Sequence, residues 1–80
     1  MEEQAVLKRV IEVVADMAQI DAEKLQEREP LKSYGIQSVD LLSVIVTLED
    51  EYAIKFDPTG LKELTCRSLA EGVIRAGHGE

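Results

Sequence analysis

Apolar residues recur with a helical period at the start of the chain. Leu7, Val10, Ile11, Val14 and Met17 fall at i, i+3, i+4, i+7 and i+10, and Val6 and Val13 widen the stripe. This predicts a first amphipathic helix over residues 2–18, with Glu2 and Glu3 in the first turn, where the helix dipole favours anions. Over 19–37 the period fails. That stretch holds Pro30, Gly35 and the scattered apolar residues Ile20, Leu25, Leu31, Tyr34 and Ile36. A connection this long is uncommon inside a small domain. Its composition predicts one helical turn begun by Asp21, then a loop pinned to the core by its apolar residues.

A second helix is expected over 38–52, with Ser38 as cap or first-turn residue and Asp40 near its positive end. Phe56-Asp57-Pro58 reads as a new start, Asp57 capping and Pro58 at the first helical position, so a short third helix is expected over 58–64. Thr65 can cap a fourth helix over 66–75, with Cys66, Leu69, Ala70, Val73 and Ile74 on one face. Residues 76–80 are expected as a frayed tail. The pattern predicts one all-α domain of four helices, with a long loop after the first and a short third.

The second helix carries more apolar surface than its core face needs. Leu41, Ile45, Leu48 and Tyr52 form one stripe, and Val39, Leu42 and Val46 form another, with Val44 on the far flank. A surface helix usually shows a single apolar stripe. Either the others engulf this helix, or the second stripe faces a partner. We expect exposure, with Asp40, Glu49 and Asp50 as an acidic rim around Val39, Leu42 and Val46.

Charge supports an acidic surface. The 80 residues carry a net charge of −7, and residues 38–57 contribute five acids against Lys55 alone. Such a balance argues against nucleic-acid binding, which needs a cationic footprint. It suits salt-sensitive encounters with basic partner surfaces. The longest apolar runs are far too short to insert in a membrane, and the start Met-Glu-Glu lacks a cationic leader, so a cytoplasmic monomer is expected. The single cysteine excludes an internal disulfide, and no Cys/His cluster suggests a metal. His78, between two glycines, reads as a tail residue, and Cys66 as a buried structural thiol. No catalytic constellation emerges, and an enzyme is not expected.

The stretch Pro30-Leu-Lys-Ser-Tyr-Gly-Ile-Gln-Ser-Val-Asp-Leu-Leu, followed by Leu48-Glu-Asp-Glu-Tyr, resembles the signature of acyl and peptidyl carrier proteins. Nearly the whole chain takes part in the resemblance, which implies a four-helix bundle of acyl-carrier-protein type. It implies that Ser38, in Gly35-x-x-Ser38, carries a covalent 4′-phosphopantetheine arm on which acyl intermediates are tethered as thioesters. The implied partners are a phosphopantetheinyl transferase and acyl-loading and acyl-processing biosynthetic enzymes, docking on Val39, Asp40, Leu42, Val46, Glu49 and Asp50. Tyr-Gly-Ile before the motif is similar to polyketide-synthase carriers, and Ser43 stands where fatty-acid carriers often have Glu. A free-standing polyketide-type carrier is therefore expected. Fatty-acid and aminoacyl or peptidyl carriers are the nearer alternatives. The alternative of a different class is a non-carrier helical interaction domain in which Ser38 only caps a helix.

Overall fold

The computed structural model describes residues 2–56 and 64–78, His78 by its backbone alone. Three α-helices and two 3₁₀ turns follow in order: α1 (Glu3–Ala18), the turns Ala22–Lys24 and Leu31–Tyr34, α2 (Ser38–Tyr52) and α3 (Cys66–His78). The described residues are all-α, without strands. The short helix expected over 58–64 lies outside them except for Leu64, which is not helical.

α1 buries Val6, Leu7, Val10, Val13, Val14 and Ala15 and packs against α2 and α3. The stripe is centred slightly off the expected line, so Val6 and Val13 lie deep while Met17 is 37% exposed. α1 and α2 end alike. Gln19 and Ala53 adopt left-handed backbone (φ 58° and 55°), and the next residue's N–H reaches back five positions, Ile20 to Ala15 O (3.0 Å) and Ile54 to Glu49 O (3.1 Å). Such ends favour glycine, because a Cβ crowds the left-handed conformation. Ala53→Gly is therefore expected to raise stability by about 0.5–1 kcal/mol, a balance of relieved strain against added unfolded-state freedom. A urea titration with an unchanged slope and a higher midpoint checks it.

The long loop is held at several points. Leu25, Leu31 and Ile36 are buried, and the Tyr34 hydroxyl accepts the Gln26 N–H (2.9 Å). Leu31 N–H donates to Leu64 O (2.8 Å), and Arg67 N–H to Glu27 O (2.9 Å), so the loop lies along the approach to α3. Asp21 does precede a helical turn, but its side chain makes no capping bond.

α3 opens with a reciprocal cap: Ser68 N–H donates to Thr65 Oγ1 (3.0 Å) and Thr65 N–H to Ser68 Oγ (2.9 Å). Cys66, Leu69, Ala70 and Val73 are buried as expected. Burial pushes the Cys66 thiol up to about 11, away from the thiolate form. The expected tail is corrected: the helix continues through Ala76 and Gly77 to His78, three residues beyond Arg75. Gly77 did not break it, since glycine in a helix costs only about 1 kcal/mol.

Two arginines fasten the bundle. Arg9 of α1 grips Glu51 of α2 with both ends of its guanidinium (2.6 and 2.7 Å), holding that carboxyl below the usual carboxylate range. Arg67 of α3 meets Glu3 (3.1 Å), Glu27 (2.9 Å) and Glu71 (3.4 Å). The segment after α2 is fixed as well. Phe56 N–H donates to the Glu49 carboxylate (2.8 Å), and its ring lies on Gly72 so closely that a Cβ there would come within 2.6 Å of it.

Candidate functional site: the opening of α2

The residues singled out at the start of the second helix meet at one surface. The chain arrives through the turn Leu31–Tyr34, which ends in Gly35 at φ 81°, ψ 11°. Only glycine adopts this conformation without strain. Ile36 then returns to the core at 6% exposure, and Gln37 is extended (φ −84°, ψ 161°). Ser38 is the first residue of the helix and lies exposed. Buried Ile36 on one side and fully buried Leu41 on the other hold this short exposed stretch in place.

The residue that caps α2 is Gln37, and no side-chain capping bond is made there. Ser38 thus takes the first-turn position of the two the sequence allowed. The Gln37 carbonyl accepts from both Asp40 and Leu41 N–H (3.0 Å each). This leaves the Ser38 and Val39 amides outside the helical ladder at the positive end of a 15-residue helix. An anion joined to the Ser38 hydroxyl would lie beside them, a setting that suits a phosphodiester.

Both apolar stripes of α2 fall where the pattern placed them. Leu41, Ile45 and Leu48 are buried and Tyr52 half-buried, while Val39, Leu42 and Val46 are 63%, 43% and 54% exposed. Val44, on the far flank, is core. Val39, Leu42, Ser43, Val46 and Thr47 line an open groove along the helix. The structure divides the expected acidic rim. Asp50 is exposed, Asp40 is half-buried in the first turn, and Glu49 is half-buried with its carboxylate on Phe56 N–H.

Sequence reasoning missed where the polar groups around the stripe are spent. Ser43 Oγ donates to Val39 O (3.2 Å) and Thr47 Oγ1 to Ser43 O (2.9 Å). Serine and threonine in a helix interior commonly bond back to the carbonyl four residues earlier, so this pair was findable. The Arg9–Glu51 bond joins residues 42 apart, and the Glu49–Phe56 bond ties α2 to the non-helical segment after it, so neither carries a periodic signal. Among the described residues no group of three or more His, Cys, Asp or Glu gathers as a metal site, and no helix is long and apolar enough to cross a membrane.

Comparison with known proteins bears on this surface. The model of the phosphopantetheine attachment site family matches residues 8–73, and the chain belongs to that family. It is 28% identical over 79 residues to the acyl carrier protein of Saccharopolyspora erythraea, covering 98% of this chain and 74% of that one. It is 39% identical over 46 residues to the acyl carrier protein homolog of Mycoplasma genitalium, a stretch that is 58% of this chain and about half (52%) of the relative's length. No solved structure matches. The family joins 4′-phosphopantetheine to a serine and its acyl carrier proteins are carriers. This chain takes that cofactor and that class of role.

Proposed function

We propose that Ser38 is the attachment serine and that the protein carries acyl groups between enzymes of a biosynthetic sequence, on the polyketide side of the family. The observation that carries this reading is the exposed Ser38 hydroxyl at the first position of α2, beside two amides outside the helical ladder. The arm supplies a flexible thiol that takes acyl groups as thioesters. The chain's own residues provide the rest. The Ser38 oxygen would bond to the pantetheine-bearing phosphorus of coenzyme A as the P–O bond to adenosine 3′,5′-bisphosphate breaks, the bisphosphate leaving and the hydroxyl proton passing to a base of the transferase. The Ser38 and Val39 amides face the resulting anion, and the buried neighbours Ile36 and Leu41 keep the attachment point still. Tyr34-Gly35-Ile36 and the neutral Ser43 support the polyketide context over the fatty-acid one.

A phosphopantetheinyl transferase is the first partner on this reading, and acyl-loading and acyl-processing enzymes follow. They approach over the exposed side of α2, where Val39, Leu42, Val46 and Asp50 lie, with Asp40 and Glu49 at its margins. The test is incubation with coenzyme A, magnesium and a promiscuous transferase, followed by intact mass and peptide mapping. One arm, on the peptide containing Ser38, is the expected result. An arm mapped elsewhere, or none, overturns the reading.

A further inference from the structure

We propose that Tyr34 is a positioning residue for the modification of Ser38. Its hydroxyl, bonded to the Gln26 N–H, holds the turn before Gly35 in the form that the modifying enzyme binds. This rests on the reading of Ser38 given above.

The stretch from Lys32 to Ser38 is tied mostly to itself. Ser33 N–H donates to Pro30 O, Gly35 N–H to Lys32 O, and the Ser33 hydroxyl to Glu29 and Pro30 O. None of these bonds spans more than four residues, so the turn can move with all of them intact. Among the described residues, the bond from Gln26 N–H to the Tyr34 hydroxyl (2.9 Å) is the one hydrogen bond that carries this stretch further, across eight positions.

The far end of that bond is firm. Glu27, next to Gln26, is held twice by Arg67 at the start of α3. Its carbonyl accepts the Arg67 N–H, and its carboxylate meets the guanidinium (2.9 Å each). Leu25, on the other side of Gln26, is buried. The Tyr34 ring is half-buried and packs against the core. Tyr34 thus joins the residue before Gly35 to a fixed point, and Ser38 follows four residues later. Burial of Ile36 keeps this stretch on the core, but apolar burial has no direction. A hydrogen bond demands both a distance and an angle, so the Tyr34 hydroxyl sets how the stretch sits there.

Losing the hydroxyl leaves the fold intact, because the bond is exposed and water can take the Gln26 N–H. What changes is the freedom of the turn. An enzyme that reaches Ser38 must then order the turn as it binds, and the cost of ordering falls on affinity. Once bound, the geometry is the same, and the chemical step is unaffected. Weaker binding with unchanged turnover reads as a raised KM at constant kcat.

The experiment compares the wild type with Tyr34→Phe, which keeps the ring and removes only the hydroxyl. Loading is followed with coenzyme A, magnesium and a promiscuous transferase, and amide hydrogen exchange is followed on the unloaded chains. Tyr34→Phe is expected to raise the KM for the carrier chain about fivefold, the scale of one hydrogen bond, at unchanged kcat. Exchange is expected to quicken about fivefold at the Gln26 and Gly35 amides, and to stay within about twofold at Val14 and Val73, inside α1 and α3. A KM within about twofold of the wild type overturns the inference, as does a comparable fall in kcat or unchanged exchange at Gln26. Equal quickening at all of these amides makes the hydroxyl a general prop of the fold and overturns it too. Absence of any arm on the wild type instead brings down the reading of Ser38, and this inference with it.

Discussion

Ser38→Ala is expected to fold as the wild type does and, on the reading of Ser38 as the attachment serine, to gain no arm under conditions that load the wild type fully. The two halves of this expectation have separate physical grounds. Ser38 is the first residue inside α2, and the cap is Gln37, which makes no side-chain bond to the helix. The usual loss of about 0.5–2 kcal/mol for removing a capping hydroxyl therefore does not apply. Alanine is also the best helix former, so stability should move by no more than about 0.5 kcal/mol. Loading falls to zero because the accepting oxygen is gone. Intact mass after incubation with coenzyme A and a transferase reads one half of the expectation, and a thermal melt the other. Mass gain by the alanine variant would move the attachment point to another hydroxyl. Ser33 and Ser43 are the nearest exposed serines in the chain, although both hydroxyls are hydrogen-bonded within the protein.

The largest effects on stability should separate two leucines that are neighbours in sequence. Leu41 is fully buried and Leu42 is 43% exposed. Leu41→Ala removes core volume and leaves a cavity, which costs about 2–5 kcal/mol. A domain of this size holds about 4–12 kcal/mol in all, so this variant should lose a large share of its stability and, at the low end of that range, pass its unfolding midpoint. Leu42→Ala loses little burial and should cost under about 1 kcal/mol while leaving the helix intact. Denaturant titrations on the two variants decide it. Equal losses would mean that the second stripe of α2 is packed in solution and offers no surface to a partner.

Most of the helical frame was legible in the chain because it is written in period. The first helix, the second, and the start of the last each present an apolar face at 3.6-residue spacing, and α2 even shows two. The far end of α3 was not legible. Gly77 and His78 look like a tail, yet the helix passes through them, and one glycine is too weak a signal to stop a helix already nucleated. The surface around Ser38 was legible as to which side chains are exposed, but not as to which are free to act. Nothing in the spacing of Glu49 and Glu51 says that one holds the Phe56 amide and the other an arginine of α1. Those bonds depend on how the chain folds back, so of the acidic run Glu51 is paired with a cation and Glu49 is tied to the backbone after the helix. The bonds from Leu31 to Leu64 and from Arg67 to Glu27 were hidden for the same reason.

The turn before Ser38 selects for handedness and not for size. A Cβ built on Gly35 would meet nothing within 4 Å, so there is room for a side chain, and only the φ of 81° stands against one. The strain is a property of L-amino acids alone, whose mirror images are at ease in this region. A chain made by chemical ligation with D-alanine at position 35 should therefore keep the stability of the glycine chain or exceed it, because the added methyl restricts the unfolded state. The L-alanine chain gains the same restriction of its unfolded state but carries the strain, for a net loss of about 0.5–1 kcal/mol. Asparagine, the ordinary residue that best tolerates a left-handed backbone, should fall between them.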